Sequence, residues 1–180
     1  SDYTEKNSNL IPQIDIPCFA WNSQAEQGLL FFKAKSLDTM TFMTDRIVKI
    51  GGYQGSVILF FDFESGKVFK PFAKKRNVIY SNPVYAEGFY YFLQGDYDEK
   101  KISLYRYIPG KLLEKETELS TEEVSLYNLC IIGNPVHFIS QEDTFVCYYP
   151  EKISFPITGH ESALFIKDEK IYFESWAEEG

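Results

Sequence analysis

Alternation is the feature that most limits what this chain can become. In ISLYRY, Ile102, Leu104 and Arg106 fall on one side of an extended backbone, with Ser103, Tyr105 and Tyr107 on the other. In KISFPI, Ile153, Phe155 and Ile157 share a side; KIYFES sets Ile171 and Phe173 against Tyr172 and Glu174. Successive side chains of a strand point to opposite faces, so a period of two in aromatic and β-branched residues predicts half-buried strands. VILFF (57–61) and GLLFF (28–32) are apolar at every position and read as inner strands covered on both sides. A hydrophobic fraction of 44% and an aromatic fraction of 17% supply the apolar surface needed to offset the entropy of ordering. The class is all-β.

Short polar turns punctuate these runs. Glu87-Gly88 separates PVYA from FYYFLQ, SQED (140–143) separates PVHFI from TFVCYY, and KDE (167–169) separates ALFI from KIYFES. ESGK (64–67) and IPGK (108–111) each close a tighter loop that contains a glycine. Strands joined by such turns predict an antiparallel meander of hairpins. Residues 1–10 are polar and aperiodic and read as a flexible tail ahead of a single domain over 11–180. One stretch, STEEVSLYNL, admits two readings. Ser120 and Glu123 have capping-box spacing for a helix of two turns, while ETELSTEE also reads as an acidic outer strand and loop.

The hairpins recur. SNPVYAEGFYYF (81–92) and GNPVHFISQEDTFVCYY (133–149) share Asn-Pro-Val, a polar turn and an aromatic strand, with the Asn-Pro pairs 52 residues apart. ILFFDFESGKVFKPF and SLYRYIPGKLLEKET share an aromatic strand, a turn ending Gly-Lys and a second strand, 44 residues apart. Periods of this size mark repeat architectures with about four strands per unit. The arrangement resembles β-propeller blades over 57–118 and, more loosely, 134–176. That resemblance implies a minimal or partial propeller, since about four blades is the smallest usual number. A β-sandwich or barrel built from the same hairpins is the alternative fold.

Charge narrows the partners. The net charge is −8, and residues 91–180 hold seventeen acids against eight Lys/Arg, whereas residues 1–90 hold nine against ten. The acidic half would repel a phosphate backbone, which argues against nucleic acid; Lys74-Lys75-Arg76 reads as a solvated turn. No run of about eighteen apolar residues occurs, so no helical membrane span is expected. Cys18, Cys130 and Cys147 sit in apolar segments, an odd count that points to free thiols and a reducing compartment, the cytoplasm, with one disulfide plus a spare thiol as the alternative. The chain begins at Ser1 with neither an initiator Met nor a signal peptide, so residue 1 reads as a processing boundary, with a removed leader left open.

The chemistry-bearing residues are sparse. G-x-S-x-G and H-E-x-x-H are both missing. His137 has strand spacing, and His160 sits in a loop beside Glu161 and Ser162, whose side chains point apart on an extended chain. GDYDEKK (95–101) opens like a calcium loop but lacks its glycine and closing glutamate, and the cysteine spacings form no zinc site. GGYQG (51–55) has glycines that could cradle a phosphate but no Lys-Ser/Thr follows. Asp62, on an otherwise apolar strand, calls for a buried partner, and Arg106 is the candidate. No catalytic residue, metal or cofactor is assigned.

Aromatics remain. Trp21 and Trp176, near strand ends, and His160 are the candidate binding residues. The expected function is a non-enzymatic binding domain that recognises a protein partner. The alternative is a carbohydrate-binding or carbohydrate-cleaving domain in which exposed rings flank paired carboxylates. A short C-terminal unit would leave an unpaired edge strand, which predicts a homodimer formed by edge pairing.

Overall fold

A computed structural model of the chain describes residues 18–22, 54–126 and 129–177. These form fourteen strands, all antiparallel where they pair, in four successive sheets, none of them closed into a barrel. The first sheet is β1 (Cys18–Asn22), β2 (Ile58–Asp62) and β3 (Val68–Phe69), in that order. The second has β4 (Val78–Tyr80) and β5 (Val84–Ala86) side by side on one edge of β6 (Phe89–Asp96), followed by β7 (Lys101–Ile108) and β8 (Leu112–Ser120). The third is the meander β9 (Leu129–Ile132), β10 (His137–Gln141), β11 (Thr144–Tyr149) and β12 (Ile153–Pro156). The fourth is the hairpin of β13 (Glu161–Lys167) and β14 (Lys170–Ser175). The all-β antiparallel class expected from alternation is what the chain adopts.

Alternation also decides how the sheets stack. On β6, Tyr90 and Phe92 point to the first sheet and pack with Cys18, Ile58 and Phe60. Their neighbours Tyr91 and Leu93 point the other way and pack with Leu129, Ile131, Val136 and Phe138 of the third-sheet region. The third sheet repeats the device: Phe138 faces the second sheet, whereas Ile139, Phe145 and Cys147 face Ala163 and Ile166 of the fourth. Each inner sheet is thus apolar on both faces, the sheet-on-sheet solution to burying two sides of a strand. A bulge at Phe138/Ile139 lets Tyr148 and Tyr149 both contact the core shared with the second sheet.

Rings carry the contact between the first two sheets. Phe60 meets Tyr90 and Tyr107 edge-on at 5.0 and 4.8 Å, and Phe92 touches Phe60, Phe72, Tyr80, Tyr105 and Tyr107. A polar clamp accompanies them. The Tyr90 hydroxyl accepts from the Cys18 N–H at 2.8 Å and donates to the Cys18 carbonyl, which ties β1 to the second sheet. Burial pushes the Tyr90 phenol up to about 12, so it stays a neutral two-way hydrogen-bonding group. Tyr90→Phe would strand both backbone groups of a buried residue, and should cost about 1–3 kcal/mol. An unchanged urea midpoint in that variant would show that the clamp contributes nothing.

Several expectations resolve here. The stretch with capping-box spacing is not helical: residues through Ser120 belong to β8, and residues 121–123 turn. The cap bonds form nonetheless, with the Ser120 N–H donating to Glu123 Oε2 at 2.7 Å and the Glu122 N–H to Ser120 Oγ at 3.2 Å. Two local bonds stabilise a turn as readily as a helix start, and the strand pairing upstream decides which. Asp62 does not pair with Arg106. Its Oδ1 accepts the N–H groups of Glu64 and Ser65 in the β2–β3 turn, which holds its carboxyl below the usual range. Arg106 instead pairs with Glu114 and, at 3.0 Å, with Glu116, both on the neighbouring strand β8.

The two Gly-Lys turns are alike, with Gly66 at φ 70° and Gly110 at φ 73°. The two Asn-Pro pairs are not: Asn82-Pro83 lies between β4 and β5 on one sheet edge, while Asn134-Pro135, a cis peptide, lies in the β9–β10 turn. VILFF is covered on one face more than the other, with Ile58 and Phe60 buried and Phe61 over a third exposed. GLLFF, the 1–10 tail and Gly51-Gly52 lie outside the described residues. No disulfide joins Cys18, Cys130 or Cys147; Cys18 and Cys147 are buried, and burial raises both thiols above their ordinary value. Among the described residues no helix is long and apolar enough to cross a membrane.

Candidate interaction surface

The fourth sheet is one place, among the described residues, where several large apolar side chains face outward together. Its turn is two residues long, with Asp168 at φ 51° and Glu169 at φ 60°, the left-handed pair of a type I′ hairpin. One face follows the alternation and is buried: Ile171 and Phe173 join Ala163 and Ile166 against the third sheet. Phe145 stacks on Phe155 at 4.9 Å, and Phe173 meets each of them edge-on at 6.0 Å. This packing fixes the hairpin and thereby fixes what lies on its other side.

On that other side are Leu164 (48% exposed), Phe165 (40%), Tyr172 (42%) and Trp176 (48%). A β-bulge between Ala163 and Phe165 produces the arrangement, because strict alternation would have sent Leu164 and Phe165 to opposite faces. Gln141 of β10 braces the bulged strand: its Oε1 accepts the Ala163 N–H at 2.7 Å, and its Nε2 donates to Ser162 Oγ at 3.4 Å. Phe165 and Tyr172 are cross-strand partners whose rings stack at 4.6 Å. Among the described residues no further strand pairs with either edge of this hairpin. An uncovered two-stranded sheet with an apolar outer face is a ready template for another polypeptide.

The residues singled out by sequence separate into two groups. Trp176 and His160 come together at the open end of the hairpin, where the Trp176 N–H donates to the His160 carbonyl at 3.2 Å. Trp21 lies in β1 opposite Leu59, in the first sheet, and its side chain lies outside the described residues. Leu164, Phe165 and Tyr172 were not singled out. Tyr172 carries a signal in KIYFES, where it alternates with the buried positions. Leu164 and Phe165 carry none, since a bulge has no fixed residue signature.

Several carboxylates are occupied elsewhere. In the second sheet, Glu118 of the edge strand β8 lies 3.0 Å from Lys101 of β7 and also pairs with Lys115. Lys115 and then Lys101 hold its carboxyl down at about 2. Glu116 accepts from the Tyr149 hydroxyl at 2.8 Å, which links the second and third sheets, and Asp96 pairs with Lys75 at 2.7 Å. Asp98 of the calcium-like turn accepts from Asn77 Nδ2 at 2.8 Å. Among the described residues, hydrogen bonds and lysine partners hold the carboxyls of Asp62, Asp96 and Glu118 below the usual carboxylate range. A glycosidase acid needs the opposite shift, so that it still carries its proton near neutrality. His137 is engaged through Nδ1 with the Pro135 carbonyl at 2.8 Å.

A scan against protein-family models matches none, and comparisons with curated proteins and with solved structures return no significant match.

Proposed function

We propose that this chain is a non-enzymatic interaction domain that docks a protein partner on the outer face and free edges of its fourth sheet. One observation carries the reading: Leu164, Phe165, Tyr172 and Trp176 are each at least 40% exposed, on the face turned away from the third sheet. Interfaces are anchored by such aromatic clusters, with polar residues at the rim. Glu161, Asp168, Glu169 and Glu174 supply an acidic rim here, so the complementary partner carries an apolar patch edged by basic residues.

The carbohydrate alternative draws less support from the geometry. Sugar stacking uses a free ring face, and Phe165 and Tyr172 turn theirs toward each other. The propeller-like reading belongs to this proposal as well. Four sheets packed face to face in chain order is how successive blades pack, and blades commonly offer their loops and exposed faces to partners.

The test compares binding by the wild-type chain, Phe165→Glu and Trp176→Ala, with thermal melting against a sugar panel run beside it. Loss of a central aromatic anchor typically costs about 2 kcal/mol, or about 30-fold in Kd. The expected outcome is a captured protein whose affinity falls by that factor in Phe165→Glu while the melting temperature holds. A partner bound equally well by the variants would remove this face from the proposal. A sugar-induced melting shift abolished by Trp176→Ala would replace it with the carbohydrate reading.

A further inference from the structure

The third and fourth sheets differ in width, and the difference leaves a ledge between them. Residues opposite each other on paired strands share a face. Ile153 and Phe155 of β12 therefore lie on the same side as their partners Cys147 and Phe145, the side that packs on the fourth sheet. Among the described residues that side is four strands wide, and the fourth sheet covers it with two. Phe173 of β14 meets Phe145 and Phe155 at 6.0 Å, and the cover stops there: Ile153 is 41% exposed. Ile171 and Phe173 are themselves half-buried, whereas Tyr90 and Phe92 on β6 and Phe138 on β10 are buried. Both β6 and β10 have a further strand beside them, β7 or β11. Among the described residues β14 has none.

The edge that runs beside this ledge is open. Half of the backbone N–H and C=O groups of an edge strand point away from its one neighbour. On the other edge of the hairpin, Gln141 Oε1 takes the Ala163 N–H at 2.7 Å, and the extra residue Leu164 breaks the register. Other edges are blunted too. Strand β8 has an extra residue at Glu116 and carries Glu114, Lys115 and Glu118, and Pro156 removes a donor from β12. Strand β14 has neither a proline nor an extra residue.

We infer that β14 takes up an extended segment of the protein partner as an antiparallel third strand, whose alternate apolar side chains cover Ile153, Phe155 and Phe173. This rests on the docking role of the fourth sheet and names the part of the partner that docks. Backbone hydrogen bonds to the edge hold such a segment, and the side chains laid on the ledge select it. A second copy of this chain does not fit. Pairing β14 with its own counterpart across a two-fold axis would push both overhanging β12 strands into the same space.

Fluorescence anisotropy of a labelled peptide with the sequence of β7, KISLYRYI, titrated with the full chain, tests the inference. Strand β7 lies beside β6 in the second sheet, is apolar at alternate positions, and brings Lys101 and Arg106 to the acidic rim. Saturable binding is expected, and Ile153→Lys should weaken it by about tenfold or more. Ile153 is already exposed, so that variant folds. Two further peptides leave the protein untouched: one is N-methylated at Ile102, Leu104 and Arg106, the other at Ser103, Tyr105 and Tyr107. Alternate amides of a strand face the same edge, so one of these peptides should lose about tenfold in affinity and the other should keep it. No binding of the unmodified peptide, binding indifferent to Ile153→Lys, or equal losses in the two methylated peptides would overturn the inference. If it fell in one of these ways while a protein was still captured through Phe165, the docking role of the outer face would stand alone. A peptide bound through Ile153 with no protein captured through Phe165 would keep the strand site and remove the outer face.

Discussion

Phe92→Ala should lower the unfolding free energy by about 3–5 kcal/mol, the range for truncating a fully buried aromatic side chain. Phe92 is completely buried and lies within 6.4 Å, centroid to centroid, of five other rings. They come from the first sheet (Phe60), from the segment before β4 (Phe72), and from the second sheet itself (Tyr80, Tyr105, Tyr107). Alanine would leave a cavity lined by rings whose own positions depend on one another, so it can collapse only in part. Folded domains are stable by about 5–15 kcal/mol in total, so this single change uses a large share of the margin. Urea unfolding gives the number directly. A loss below about 1 kcal/mol would mean that the ring cluster is not the junction between the first two sheets.

Gly55→Ala should be nearly as severe for a different reason. Gly55 is buried at φ 98°, and a β-carbon there would stand 1.9 Å from the Lys75 carbonyl oxygen and 2.7 Å from its carbon. The obstacle is backbone, and it is backbone in use: the Lys75 carbonyl accepts the Val78 N–H at 3.3 Å, and the Ser56 N–H donates to the Val78 carbonyl at 3.0 Å, which ties the approach to β2 to the start of β4. Neither segment can yield without losing those contacts. Crowding and the left-handed conformation together should cost about 3 kcal/mol or more. Gly66→Ala separates the two terms, since Gly66 has a similar φ of 70° with nothing within 4 Å of its added β-carbon. Only the conformational cost, about 1 kcal/mol, is expected there. Equal losses at the two positions would show that the close approach to Lys75 has no energetic weight. The result also bears on GGYQG as an anion cradle, because the side-chain space at Gly55 is filled by the protein itself.

Alternation was legible because its cause is local. A strand presents successive residues to opposite faces whatever surrounds it, so ISLYRY and KIYFES disclosed both their state and their two-faced packing. The turns were legible for the same reason: Glu87-Gly88, Gly66-Lys67 and Gly110-Lys111 sit where the chain reverses, and the glycines among them take positive φ. Where two local signals competed, as at Ser120 to Glu123, the strand ladder upstream settled the matter. The pairing of Arg106 with Glu114 and Glu116 follows from the register of β7 on β8, and no local pattern announces a register.

The binding residues divide on the same line. Trp176 and His160 could be named from composition and position, but their adjacency comes from closing the β13–β14 hairpin. Phe165 and Leu164 reach the outer face through one extra residue in a strand, an event set by tertiary packing against Gln141 and the third sheet. By itself, then, the amino-acid order determined strands, turns and an all-β antiparallel class, because these depend on chemistry within a few residues. The tertiary structure alone decided which sheet covers which and therefore which apolar faces stay uncovered, because burial is a property of neighbours distant along the chain.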